Sequence, residues 1–170
     1  MKTLLPILLF FFSLSFSQKD MSNLSDHLKP FQSYIGKSFS GNFTNSRVSN
    51  FVYGDCSFKR VLNGAAVYMV ESINKGDYII ESMIMWDPEK EFLRSWHFTS
   101  AGKIIQKKVE IENEKIIFIE DVSKNRNGIT KIKTSFRFLN NGSLHSKIKY
   151  FMNNLWVDGN DIFYEEKLGQ

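Results

Sequence analysis

Apolar and polar residues alternate along most of this chain with a period of two, in runs of nine to twelve residues cut by turn signals. The signals are Asn63-Gly64, Lys75-Gly76-Asp77, Asp87-Pro88, Ala101-Gly102, Asn113-Glu114, Asn127-Gly128, Asn141-Gly142 and Asp158-Gly159-Asn160. Asn-Gly suits a tight hairpin, because a type I′ turn needs positive φ at both central residues. The runs predict ten strands, at about 37–45, 54–62, 65–74, 78–86, 91–99, 103–112, 115–122, 129–139, 143–152 and 155–166. Before them, Leu24, Leu28, Phe31 and Ile35 recur at helical spacing, with Ser25 placed as N-cap, Pro30 interrupting and Gly36 as terminator. That predicts one or two short helical turns over 25–35.

The two faces are clearest near the C-terminus. Ile132, Thr134, Phe136 and Phe138 alternate with Lys131, Lys133, Ser135 and Arg137, and Leu144, Ser146, Ile148 and Tyr150 with His145, Lys147 and Lys149. A ten-strand sheet with one apolar face and almost no helix hides that face by closing on itself. The fold class is therefore all-β: an up-and-down antiparallel barrel of about ten strands with a short N-terminal helix. A membrane barrel would turn the apolar face outward, but the short connections at both ends argue against it.

Residues 1–17 carry one basic residue, Lys2, an apolar run from Leu4 to Phe12, and Ser15 and Ser17 before the exit, the layout of a secretory signal peptide. Residues 18–170 then form a single domain, secreted or periplasmic, with no transmembrane span once the signal is removed. Removing Lys2 takes the net charge from +4 to +3, too little to imply nucleic acid. Cys56 is the sole cysteine, so no internal disulfide is possible and a buried, inert thiol is expected. There is no cysteine pair, no His-x-x-x-His and no acidic loop with calcium spacing.

The leader helix, the segment Gly36-Lys37-Ser38-Phe39-Ser40-Gly41 and the ten meandering strands together resemble the calycin superfamily of lipocalins, fatty-acid-binding proteins and nitrobindin-like barrels. Leu62-Asn63-Gly64-Ala65-Ala66, Tyr78 to Asp87, and Phe98-Thr99-Ser100-Ala101-Gly102 are most similar to uncharacterised secreted bacterial lipocalin-like proteins. Those families open the first strand with Gly-x-Trp, whose Trp plugs the closed end; here the aromatic is Phe39, one residue later. The resemblance implies a cavity at one end for a small apolar or amphipathic ligand. Nitrobindin-like members hold haem through a histidine on a late strand. The late histidine here, His145, falls on the charged face with Lys147 and Lys149, so no cofactor is expected.

Charges that interrupt apolar faces are the candidate ligand contacts. Arg60 shares parity with Cys56 and Phe58, Glu71 with Val67, Met69 and Ile73, and Glu81 with Ile79, Met83 and Met85. If all three point inward, hairpin pairing brings them together, either as a structural ion pair or as the polar end of a site for an acidic amphiphile. Trp86, Trp96, His97 and Tyr150 complete the candidate ligand-binding set, with Trp156 as a further aromatic; His27, in the leader, is expected to face water. No nucleophile–base pair or phosphate-binding glycine loop is readable, so no catalytic or metal-binding residue is assigned. The expected function is a small-molecule carrier. Its alternatives are an envelope-associated protein with a basic outer face (Lys131, Lys133, Arg137, Lys147, Lys149) and a cavity enzyme using His97 with a carboxylate. Oligomeric state is left open.

Overall fold

Period-two alternation becomes ten antiparallel strands: β1 (Ser38–Thr44), β2 (Tyr53–Val61), β3 (Ala66–Ile73), β4 (Tyr78–Asp87), β5 (Phe92–Thr99), β6 (Ile104–Glu112), β7 (Lys115–Asp121), β8 (Ile129–Phe138), β9 (Leu144–Met152) and β10 (Leu155–Glu166). The computed structural model describes residues 23–44, 53–123 and 128–167. The signal-peptide segment 1–17 lies outside the described residues. Each strand pairs with its sequence neighbours, and β1 pairs with β10 from Phe39↔Glu166 to Thr44↔Asp161, so the sheet closes into a barrel.

Short connections, of two residues at β6–β7 and β9–β10 and of four at β2–β3, β3–β4, β4–β5 and β5–β6, enforce this meander, because a parallel pair would need a long crossover. Asn113 and Glu114 both adopt positive φ, 47° and 63°, as the β6–β7 hairpin requires. At the β2–β3 turn the left-handed pair is Leu62 and Asn63, one residue before the Asn-Gly signal, and Gly64 follows at φ 86°. Asp158-Gly159-Asn160 is not a turn. It is a bulge inside β10, where the register slips between Asp158 and Asp161, and the β9–β10 hairpin turns instead at Asn153 and Asn154 with φ 51° and 61°.

The apolar face of β8 and β9 points inward, as does that of the end of β10. Phe136, Leu144, Ile162 and Tyr164 are buried, Phe138 packs on this core, and Arg137 and Lys133 lie on the outer parity. That is opposite to a membrane-spanning barrel, which exposes its apolar residues to lipid. Among the described residues no helix is long and apolar enough to cross a membrane.

The helix runs as a 3₁₀ segment, Asp26–Tyr34, and caps one end of the barrel. It buries Leu28, Phe31 and Tyr34 against the interior, and Gly36 at φ 79° turns the chain into β1. Ser25 precedes it without a side-chain cap; its backbone N–H donates instead to the Gly64 carbonyl at 2.9 Å. Tyr34 Oη accepts the Phe138 N–H at 3.1 Å, which ties the helix to β8. Phe39 is fully buried at this end, edge-on to Phe58 and Phe138. Gly41 allows β1 to meet β10, since a Cβ there would lie 2.2 Å from the Phe163 carbonyl oxygen.

Phe136 sits at the centre of the plug, edge-on to Phe58 and Phe118 at 6.3 and 5.8 Å between ring centroids. Phe136→Ala is expected to cost about 3–5 kcal/mol in denaturant unfolding, as for other buried aromatics. The neighbouring outward Arg137→Ala should stay within about 0.5 kcal/mol of wild type. Equal effects at the two positions would contradict the face assignment.

Candidate functional site

The aromatic plug fills only the helix end. Beyond it lies an interior cavity of about 430 Å³, extending towards Ile73 and Tyr78 at the β3–β4 hairpin, the end opposite the helix. Its apolar wall includes Phe43, Met69, Ile80, Phe118, Ile132 and Ile148. Its polar lining includes Glu71, His97, Lys107, Glu120, Thr134, Ser146, Tyr150 and Tyr164. The volume falls within the range of small-molecule sites, and a few polar groups in an apolar wall is their usual composition.

His97 is 3% exposed and held on both sides. Its Nδ1 lies 2.7 Å from Ser82 Oγ and its Nε2 2.8 Å from Ser95 Oγ, both hydroxyls fully buried. β4–β5 pairing sets Ser82 opposite His97, and Ser95 is two residues along the same face of β5. A neutral imidazole meets this arrangement with one N–H donor and one acceptor. Burial, with a smaller contribution from the Lys107 charge, pulls its pKa down to about 3. Both nitrogens are occupied by serine hydroxyls that have no access to the cavity, so His97 has no free position for proton transfer to a substrate.

Lys107 and Glu120 face each other across β6 and β7 with their charges 3.4 Å apart. Glu71 projects from β3 opposite Cys56 and Ile80. Among the described residues its carboxyl has no hydrogen bond and no ion pair. Burial raises the Glu71 pKa, and the Lys107 charge partly offsets that. Burial likewise raises the Cys56 thiol, with the Glu71 and Asp55 charges adding to it, which leaves Cys56 an inert core residue.

Of the residues chosen from sequence, Glu71, His97 and Tyr150 line this cavity. Arg60 does not. It pairs with Val67, four residues along the strand from the Cys56–Glu71 pair, a separation of roughly 13 Å. Its Nε donates to the Asn23 carbonyl at 3.1 Å beside the helix, so the expected meeting of Arg60 with the two glutamates does not occur. Glu81 is exposed on the outer face, because Ser82 takes the inward position. Trp96 is also on the outer face, opposite Met83. Trp86 packs at the closed end, where His27 stacks on it at 3.6 Å between ring centroids, so one face of that leader histidine is covered. Trp156 is 40% exposed on the β9–β10 hairpin with Lys133 Nζ 5.1 Å above its ring.

None of the described histidines offers a free ring nitrogen to the cavity. His145 points outward, stacked on Phe163 at 4.3 Å between centroids and bonded to Asp161 at 3.1 Å. His97 has both nitrogens engaged, and His27 lies outside on the helix. The basic outer face is largely paired: Lys131 with Asp121, and Lys147 and Lys149 both with Asp158.

Lys107 and Glu120 escaped the sequence reading although the signal that marked Glu71 was present. Lys107 shares parity with Ile105, Val109 and Ile111, and Glu120 with Ile116 and Phe118. The adjacent Lys108 and Asp121 masked it by putting charge on both parities of β6 and of the end of β7.

No family model matches the sequence, and no curated protein matches it. Among solved structures the chain is similar to the crystal structure of Rv2717c from M. tuberculosis, at 9% identity and a TM-score of 0.57, over 85% of this chain and 99% of that one. The likeness extends to the barrel fold alone.

The low pKa of His97 has a signed consequence for stability. The unfolded chain takes up a proton near pH 6.5, whereas the folded chain resists it down to about pH 3. The His97 contribution is therefore fully present above pH 6.5 and declines as pH falls through that window, by roughly 1.4 kcal/mol per pH unit. In urea unfolding from pH 7 to pH 4, the stability gap between wild type and His97→Gln should narrow as pH falls. A gap constant with pH would show that His97 is not held neutral by the fold.

Proposed function

We propose that this chain is a secreted or periplasmic carrier of a small, partly apolar molecule, working in the manner of calycin barrels. The observation that carries the proposal is the cavity, about 430 Å³ with Glu71 on its wall and aromatic rings around it. An interior that served only stability would be filled to native packing density. The plug end of this barrel is filled in that way and the other end is not. Lining by Tyr78, Tyr150 and Tyr164 supplies rings with polar edges, which suits an amphipathic guest. Secretion rests on the signal-like segment at residues 1–17.

Carriage is favoured over catalysis by the position of His97, whose two ring nitrogens are both committed to buried serines. It is favoured over an electrostatic docking role because three of the five basic residues of the outer face, Lys131, Lys147 and Lys149, are already engaged by Asp121 and Asp158.

Native mass spectrometry of protein purified from its own host is expected to show a population carrying one added small-molecule mass. Ile148→Trp, which fills the cavity from its wall, should remove that mass while leaving the far-ultraviolet circular dichroism of the barrel unchanged. Protein that emerges without added mass, and whose melting temperature no small amphiphile shifts, would rule out the carrier role.

A further inference from the structure

The charged side chains on the cavity lining are Asp55, Glu71, Lys107 and Glu120. Asp55 is held by Lys167 at 2.5 Å, and Lys107 is held by Glu120 at 3.4 Å. Glu71 alone of these is left without an ion pair among the described residues. Arg60, the arginine that would suit an anionic headgroup, lies outside the cavity at the closed end, where its Nε donates to the Asn23 carbonyl. An acidic ligand would thus meet three carboxylates and a lysine whose charge is already matched. A carboxyl enclosed in an apolar wall without a partner is unfavourable, and a cation placed beside it satisfies both groups. The rings of Tyr78, Tyr150, Tyr164 and Phe43 border the same space, and aromatic π-faces attract cations.

Resting on the carrier reading above, we infer that the ligand is an amine-bearing amphiphile whose cationic group pairs with Glu71 while its apolar body lies among Phe118, Ile132 and Ile148. The acidic amphiphile suggested by Arg60 in the sequence is replaced by a basic one. The difference arises because Arg60 lies under the helix and Glu71 lies in the cavity.

The test is isothermal titration calorimetry of the purified protein with octylamine, octanol and octanoate, which share one apolar chain and differ in headgroup charge. Octylamine should bind at least about tenfold more tightly than octanol, the scale of a hydrogen bond to a charged group, with octanoate weakest. Glu71→Gln keeps the side-chain shape and should abolish the amine preference while octanol affinity persists. Octanol or octanoate binding as tightly as octylamine to wild type would overturn the amine inference and leave the carrier reading standing. This series on wild type decides even if the variant folds poorly. A preference for octylamine that survives in folded Glu71→Gln would overturn the role of Glu71. Binding of none of the three would overturn the carrier reading itself, and this inference with it.

Discussion

A closed barrel of ten strands encloses more space than one of eight, because the diameter grows with strand number and about eight strands already leave just enough room for side chains. Everything inside this protein follows from how that extra space is shared. At one end the 3₁₀ helix and the rings of Tyr34, Phe39, Phe58, Phe118, Phe136 and Phe138 occupy it completely. Towards the other end the inward positions hold Glu71, Thr134, Ser146 and Tyr150, and the space stays open. Polar residues are tolerable at those positions because an open cavity, unlike a packed core, gives them room for water or a guest.

Closure imposes its own local demands, and these also shape the cavity. Gly41 lets β1 approach β10, and the seam it closes carries Tyr164, whose hydroxyl is raised in pKa by burial and by the Glu71 charge. The bulge in β10 places Gly159 against Tyr150; a Cβ there would come within 2.5 Å of the Tyr150 ring. The irregularity that the sequence presents as a turn is therefore what makes room for a ring on the cavity wall.

Strand existence, order and the facing of β8 and β9 were all legible in the sequence, because there Lys, Arg and His fall on one parity only and the other parity carries none. The site was legible only where that alternation was clean. In β3 the parity of Val67, Met69 and Ile73 put Glu71 inside, correctly. In β4 both parities are apolar, Ile79, Met83 and Met85 on one side and Ile80, Ile84 and Trp86 on the other. Nothing local distinguishes them, and Glu81 was placed inside although the buried hydroxyl of Ser82 marks the true inner face. Arg60 shows a different limit. Its parity was right, but parity says nothing about depth, and depth along the barrel axis decides whether an inward side chain meets the plug or the cavity.

Depth also separates the two kinds of polar burial in this interior. His97 with Ser82 and Ser95, and Lys107 with Glu120, are internally matched, so they specify strand register without needing anything from outside. Glu71 is unmatched, and an apolar residue in its place would make a more stable empty barrel. A group that costs stability in the empty state lowers the cost of binding for any partner that satisfies it, because the penalty is already present before the ligand arrives. Occupancy then stabilises the fold by mass action, about 2.7 kcal/mol at a ligand concentration one hundred times its dissociation constant. On the proposed carrier reading the stability of this protein and the identity of its ligand are one problem, and both turn on the carboxyl of Glu71.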